Sequence, residues 1–134
     1  MKPEIKILLI FLLLIGALFP ISSCKKGPGE GGTSILHGKI RIEDYNGAGV
    51  LQATYYAQEE RVYLIFGDEG FYGLDTRTSF DGVYEFKYLT KGSYTVFAYA
   101  DCDTCASGVI AVSKEIEITE KNATTEVDEI VLRK

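Results

Sequence analysis

The amino-acid sequence predicts an all-β fold, a seven-stranded antiparallel β-sandwich, and three observations support that prediction. No segment beyond the N-terminal leader repeats apolar residues with the 3.6-residue period of an amphipathic helix. Short segments instead alternate apolar and polar residues with a period of two, at a spacing of roughly 8–12 residues. Glycine, asparagine and aspartate separate these segments, as expected for turns. Two sheets that are each apolar on one face are expected to bury those faces against each other.

The alternation is clearest between Asp81 and Ala100, in the sequence DGVYEFKYLTKGSYTVFAYA. It predicts two strands that are joined by a tight turn at Lys91-Gly92, and therefore a β-hairpin. Leu89 ends the first of the two strands. The residues expected to share one face of each strand are Tyr84, Phe86 and Tyr88 in the first, and Tyr94, Val96 and Ala98 in the second.

The remaining strands are predicted on either side of this segment. The domain is expected to start at Ile35, where Leu36, Gly38, Ile40 and Ile42 alternate with polar residues. The run RVYLIF is apolar at almost every position, which favours a central strand covered on both faces. Strands are expected at about residues 35–44, 61–66, 72–79, 109–119 and 125–132, which makes seven with the two already described. Residues 50–56 are expected to form a less regular extended segment.

Residues 1–23 have the composition of a signal peptide. A short basic start with Lys2 and Lys6 precedes an uncharged apolar run from Ile7 to Phe19, and Pro20 ends that run. The run is shorter than the ~20 residues that a membrane-spanning helix needs. We therefore expect this segment to be removed rather than to remain as a transmembrane helix.

The four residues Ile-Ser-Ser-Cys at 21–24 resemble a bacterial lipobox. The resemblance implies a lipoprotein, in which Cys24 carries the diacylglycerol and the acyl chains (palmitate among them) and becomes the first mature residue. The expected location is the bacterial cell envelope, most simply the outer membrane, with the membrane as a partner through the lipid. The alternative is an ordinary secreted protein with a free Cys24. Lys25 and Lys26 do not match the acidic surface-export signal of some Bacteroidetes lipoproteins, so the periplasmic face and the cell surface both stay open.

Residues 24–34 are glycine-rich and lack a large apolar side chain, which predicts a flexible linker between the lipid and a domain at 35–134. The formal net charge of the chain is −5. That acidic balance argues against nucleic acid as a partner, because nucleic-acid binding requires clustered lysine and arginine.

The carboxypeptidase regulatory-like and Cna-B-type domains have a residue pattern that this sequence resembles over most of residues 35–132, sharply only from Asp81 to Tyr99. The matching residues are Val62-Tyr63-Leu64, Thr78 and then Asp81-Gly82-x-Tyr84-x-Phe86-x-x-Leu89-x-x-Gly92-x-Tyr94-x-Val96. These domains are prealbumin-like (transthyretin-like) seven-stranded sandwiches without catalytic activity. The resemblance implies a structural or protein-binding module and no enzyme. Some Cna-B domains form an internal isopeptide bond from a lysine. Lys39 occupies about that position, but it falls on the polar side of its strand and no activating acid follows, so we interpret it as a solvated lysine.

Cys102-Asp103-Thr104-Cys105 leaves several interpretations open. A disulfide between Cys102 and Cys105 is favoured, because these two cysteines remain once Cys24 carries lipid. Free thiols are the next alternative. A redox-active dithiol is disfavoured because the charges of the neighbouring aspartates would raise the pKa of a thiol. A zinc site would have only His37 and nearby acids as further ligands.

No pattern in the sequence predicts a catalytic residue, a cofactor or a metal site. Asp68, Glu69, Asp75 and Asp81 do not match a calcium-binding loop and are interpreted as turn and surface residues. A second functional hypothesis is a small glycan-binding domain that uses loop aromatics, although core filling is the preferred interpretation of these rings. The aromatic residues concerned are Tyr55, Tyr56, Phe71 and Tyr72.

Overall fold

The computed structural model describes residues 26–134 as two β-sheets packed face to face. The predictions for the signal peptide, Cys24 and Lys25 lie outside the described residues. No helix that could cross a membrane occurs between residues 26 and 134. The strands are β1 (Glu30–Tyr45), β2 (Leu51–Tyr56), β3 (Arg61–Phe66), β4 (Leu74–Arg77), β5 (Val83–Leu89), β6 (Gly92–Asp101), β7 (Val109–Ile118), β8 (Thr124–Glu126) and β9 (Ile130–Arg133).

The long strand β1 organises the five-stranded sheet. It pairs antiparallel with β5 along its first half and with β2 along its second half, and it pairs parallel with β8 and β9. The other sheet has the order β4-β3-β6-β7 and is antiparallel throughout. The sandwich is therefore as predicted, but the described residues form nine strands and one sheet is mixed. The last predicted strand is divided because its register with β1 shifts by one residue: Glu126 lies opposite His37, whereas Ile130 lies opposite Ile40.

The predicted hairpin of β5 and β6 is wrong. β5 pairs with β1, whereas β6 pairs with β3 and β7 in the opposite sheet. The short turn at Thr90-Lys91 carries the chain from one sheet to the other. Both strands still point their alternate apolar side chains into the core, which is why the sequence pattern did not distinguish a hairpin from a crossing between sheets.

Tyr88 departs from the predicted face. Tyr84 and Phe86 are buried, but Tyr88 is 70% exposed. Its backbone has a φ of 61°, in the left-handed region, and the resulting irregularity turns the next side chain, Leu89, into the core. Leu89 therefore closes the end of the core in place of Tyr88.

The core lies between the sheets and contains the predicted inner faces of β1 and β6. Leu36, Ile40 and Ile42 of β1 are buried, as are the predicted residues of β6. Tyr84 packs over Gly38 of β1, where a Cβ would collide with its hydroxyl group. The Tyr84 hydroxyl has no hydrogen-bond partner among residues 26–134, and burial raises the pKa of this phenol above the ordinary value for tyrosine.

β1 begins at Glu30, so the sheet includes residues that were predicted to be linker. The preceding residues also bind the domain. Thr90 Oγ1 donates to the carbonyl oxygen of Gly27 at 2.7 Å, and Gly29 N donates to the Tyr94 hydroxyl at 2.9 Å. Pro28 packs on Gly92, where a Cβ would lie 2.8 Å from Pro28 Cβ. The flexible-linker prediction therefore fails from Gly27 onward, because Thr90 and Tyr94 supply hydrogen bonds that the composition did not indicate.

The sandwich has two distinct ends. The N-terminal end carries residues 26–29, the β3–β4 loop, the β5–β6 turn and the β7–β8 turn, since Gly67 donates to Ser93 and Thr90 bonds Gly29. The opposite end carries the β1–β2 turn, the β4–β5 turn and the loop between β6 and β7.

Candidate functional site: an aromatic face on the four-stranded sheet

The outer face of the four-stranded sheet is set by the pleat of β3 and β6. Val62 and Leu64 of β3 point inward and are fully buried, so Tyr63 between them points outward. Tyr63 lies opposite Phe97 of β6, and Phe97 lies opposite Ser113 of β7. The register therefore places these three side chains in one row across the sheet.

Four aromatic rings form a cluster on this outer face, which we call the aromatic face. Tyr63 stacks on Phe97 with ring centroids 4.9 Å apart and an interplanar angle of 14°. Tyr72 packs against Tyr63 at 4.8 Å, and Tyr99 makes edge contacts with both Tyr63 and Phe97 at 5.7 and 5.6 Å. Such centroid distances are typical of favourable aromatic pairs. The aromatic face comprises Tyr63, Tyr72, Phe97 and Tyr99.

The rings of the aromatic face differ in exposure. Phe97 is only 8% exposed although it lies on the outside of the sheet, because its neighbours cover it. Tyr72 and Tyr99 are 47% and 40% exposed. Phe97 and Tyr63 thus form a base, and two open tyrosine rings lie at its margin.

Polar groups surround the aromatic face. Asp75 lies opposite Tyr63 on β4 and makes a long ion pair of 3.7 Å with Arg61. Towards the N-terminal end, the same outer face continues as a shallow polar depression next to Phe97. That depression is lined by Gly67, Asp68, Ser93, Thr95, Glu115, Ile116 and Glu117. An apolar half and a half rich in hydroxyl and carboxylate groups therefore adjoin on one surface.

The four predicted ligand-facing aromatics do not form one site. All four are exposed, from 43% at Tyr56 to 73% at Phe71. The preferred interpretation, that these rings fill the core, is therefore wrong. Only Tyr72 joins the aromatic face. Tyr55 and Tyr56 lie on β2 of the other sheet, and the Lys39 ammonium lies over the Tyr56 ring at 4.9 Å.

The sequence reasoning missed Tyr63, Phe97 and Tyr99 as surface residues. Tyr63 lies inside the apolar run RVYLIF, which suggested burial on both faces. A usable signal exists in β6, since Phe97 and Tyr99 alternate with the buried Val96, Ala98 and Ala100 and so occupy the outer face.

Cys102 and Cys105 are joined by a disulfide in the structure, with their Cα atoms 5.3 Å apart. The loop that holds them consists of turns, in which Cys105 N donates to Cys102 O and Gly108 N donates to Cys105 O. No helix begins at Cys102, so the helix N-terminus that would stabilise a reactive thiolate is not present at this loop.

The other polar residues considered from the sequence do not gather at one point. His37 lies on β1 in the five-stranded sheet, in register with Glu85 and Glu126. Between residues 26 and 134, no group of three or more His, Cys, Asp or Glu side chains is placed to hold a metal ion. Lys39 is exposed and packs over Tyr56.

Comparisons with known proteins identify no family for this chain. No family model matches it, and no curated protein matches it. Among solved structures, a protein of Pseudomonas aeruginosa described as a "putative carbohydrate binding protein" is similar, with a TM-score of 0.48 and 14% sequence identity. The similarity covers 87% of this chain and 98% of that one.

Proposed function

We propose that this protein is a lipid-anchored, non-catalytic binding module of the bacterial cell envelope, and that the aromatic face is its recognition surface. The anchor rests on the lipobox-like sequence ending at Cys24. The recognition surface rests on one observation: two half-exposed tyrosine rings, Tyr72 and Tyr99, pack against the stacked pair of Tyr63 and Phe97. Exposed aromatic groups that are rimmed by polar residues mark interaction sites.

A glycan is the ligand class that this surface fits best. One side of a sugar ring presents C–H groups, which pack on an aromatic ring, while its hydroxyl groups require hydrogen-bond partners. The rings of Tyr72 and Tyr99 supply the first kind of contact. Ser93, Thr95 and Glu115 in the adjoining depression supply the second kind. The net charge of −5 disfavours a polyanionic ligand on the same surface.

Binding should be tested on the full chain with an array of bacterial-envelope and plant polysaccharides. Any polysaccharide that binds is then measured by isothermal titration against Tyr99→Ala and Tyr72→Ala. Loss of one stacking ring is expected to weaken binding roughly tenfold, since truncated aromatic anchors typically cost more than about 1 kcal/mol.

Tyr56→Ala is the matched control for this test. Tyr56 and Tyr99 have nearly equal exposure, 43% and 40%, but they lie on opposite sheets. Equal loss of affinity in Tyr56→Ala and Tyr99→Ala would contradict the placement of the site. Binding of no polysaccharide on the array would remove the glycan assignment.

A protein partner is the second candidate, and two phenylalanines favour it. Phe71 is 73% exposed and Phe80 is 81% exposed, and Phe80 lies in the turn between β4 and β5 at the opposite end of the sandwich. Large exposed apolar side chains are typical of protein-binding surfaces. Crosslinking in the native envelope, with the lipidated chain as bait, tests this candidate. A crosslink that maps to Phe71 or Phe80 and not to the aromatic face would favour the protein-binding role.

The anchor is tested separately by metabolic labelling with a fatty-acid probe. The unmodified chain is expected to incorporate the probe, and Cys24→Ala is expected to lose it. Incorporation that persists in Cys24→Ala would contradict the assignment of the lipidated residue.

A further inference from the structure

The N-terminal end of the sandwich is held to the chain segment that leads to Cys24. Thr90 Oγ1 donates to the carbonyl oxygens of Gly27 and Gly29, and Tyr94 contacts Gly29 through its hydroxyl group. Thr90 N also donates to Gly29 O at 2.9 Å. The chain is therefore bound to the domain from Gly27 onward.

The distance from Gly27 to Cys24 is short. Three residues of fully extended chain span at most about 10 Å. If Cys24 carries lipid, as the proposed function states, the N-terminal end cannot lie much farther than this from the bilayer surface. Electrostatic interactions with headgroups act over a comparable distance, about 8–10 Å at moderate ionic strength.

A groove at this end of the domain carries three lysines. Lys26, Lys91 and Lys121 come from the N-terminal segment, the β5–β6 turn and the β7–β8 turn, and they line a groove of about 870 Å³. All three residues are exposed. The ion pairs found within residues 26–134 involve other cations, so these ammonium groups are not paired with carboxylates there.

Acidic residues limit where an anion can bind at this end. Glu117 lines the same groove, and Glu30, Asp68, Glu69 and Glu120 lie in the neighbouring segments. The end as a whole is therefore not basic, and attraction to an anionic surface is confined to the three lysines. A weak, local site of this kind becomes occupied when the tether supplies a high effective concentration of lipid.

We infer that the groove lined by Lys26, Lys91 and Lys121 receives phospholipid headgroups of the membrane to which the chain is anchored. Lysine ammonium groups bind phosphate oxygens through charge-assisted hydrogen bonds. Polar backbone and Thr33 in the groove provide further polar surface for the headgroup. The domain then rests with its N-terminal end on the bilayer, and the disulfide loop at the opposite end faces away from it.

Lysine acetylation measures this contact directly. The lipidated full chain is inserted into vesicles of phosphatidylethanolamine and phosphatidylglycerol, recovered by flotation, and treated with an acetylating reagent. Mass spectrometry is expected to show acetylation of Lys26, Lys91 and Lys121 about three- to fivefold slower than in alkyl maltoside micelles, which contain no phosphate. Lys39 of β1 does not line the groove and is the internal control. It is expected to react at the same rate in vesicles and in micelles.

Two substituted chains provide a second readout. In the double variant Lys91→Gln, Lys121→Gln, the remaining Lys26 is expected to lose most of its protection in vesicles. In the matched double variant Lys39→Gln, Lys114→Gln, Lys26 is expected to keep its protection from acetylation in vesicles. Equal protection of Lys26 in both variants would contradict the groove.

The outcomes separate the inference from the proposed function. A chain that does not float with the vesicles contradicts the anchor and this inference together. A chain that floats but shows equal acetylation in vesicles and micelles contradicts the inference alone. Protection of Lys91 and Lys121 by inorganic phosphate added to the micelles, with no further protection in vesicles, would identify the groove as a site for free phosphate and would also overturn the inference.

Discussion

The outer faces of the two sheets use tyrosine in opposite ways. On the five-stranded sheet, the Lys39 ammonium lies over Tyr56 at 4.9 Å and the Arg133 guanidinium lies over Tyr45 at 4.5 Å. On the four-stranded sheet, the aromatic rings contact one another, and Tyr72 and Tyr99 remain exposed. A ring that already holds a cation offers less to a ligand than an open ring does.

Ion pairs follow the same division. On the five-stranded sheet, Arg41 binds Glu43 and Lys87 binds Glu85. Arg41 also binds Glu129, in the loop between β8 and β9. Around the aromatic face, the contacts are longer: Arg61 and Asp75 are 3.7 Å apart. Lys134 and Glu60 are 3.5 Å apart, and the Lys134 ammonium also donates to the carbonyl oxygen of Tyr99. The comparison indicates that one outer face is a solvated, self-paired surface and that the other is the surface available for recognition.

The largest expected effect is a loss of stability on the aromatic face. Phe97→Ala is expected to lower the free energy of unfolding by about 3 kcal/mol, because Phe97 is nearly as buried as a core phenylalanine. Tyr56→Ala on the opposite face is expected to cost under about 1 kcal/mol. Denaturant unfolding of both variants measures the difference. Similar values for the two would break the comparison, since Phe97 would then behave as an ordinary surface residue.

A smaller effect on the free energy of unfolding is expected for substitutions of Tyr94 and Tyr84. These two buried tyrosines lie on the inner faces of the two sheets. The Tyr94 hydroxyl donates to Thr90 O at 2.7 Å and accepts from Gly29 N, so Tyr94→Phe is expected to cost about 1–2 kcal/mol. The Tyr84 hydroxyl has no partner, so Tyr84→Phe is expected to leave stability unchanged or to raise it by up to about 1 kcal/mol. Thermal unfolding of both variants tests the contrast, and a loss of stability in Tyr84→Phe would reveal a hydrogen bond at that hydroxyl.

The smallest expected effect is a change in the pKa of Tyr45. A hydrogen bond from Tyr45 to Glu43 raises the pKa of this phenol above its ordinary value. Because the pKa of Tyr45 is raised in the folded state, this hydrogen bond contributes to the free energy of unfolding at pH values below the pKa of tyrosine in the unfolded chain. The contribution is lost as the pH rises through the pKa of Tyr45 in the folded protein. Glu43→Gln is expected to lower the pKa of Tyr45, as measured by NMR titration of tyrosine ring carbons.

Glu129→Gln is the control for the Tyr45 titration. Glu129 binds Arg41 and not Tyr45, so this variant is expected to leave the Tyr45 titration nearly unchanged. Equal downward shifts in both variants would mean that the general charge of the five-stranded sheet, rather than the bond to Glu43, sets the pKa.

Much of the strand content was predictable from the amino-acid sequence. The inner faces of β1 and β6 follow directly from alternation, and Ile130 and Leu132 are buried as expected. Of the aromatic face, the sequence analysis named only Tyr72, although the alternation of β6 also places Phe97 and Tyr99 on its outer side. Tyr63, Phe97 and Tyr99 come from two strands that are distant in sequence, and nothing local indicates that they are neighbours. The irregular backbone at Tyr88 also had no local signal, since its side chain fits the alternation of β5.

Local chemistry thus settles which residues of this chain are extended and which side of each strand is apolar, because the period of two is a property of the strand alone. Strand partners depend on contacts between distant segments. For that reason only the folded protein assigns β5 and β6 to different sheets, ties residues 27–29 to Thr90 and Tyr94, and collects four aromatic rings on one outer face.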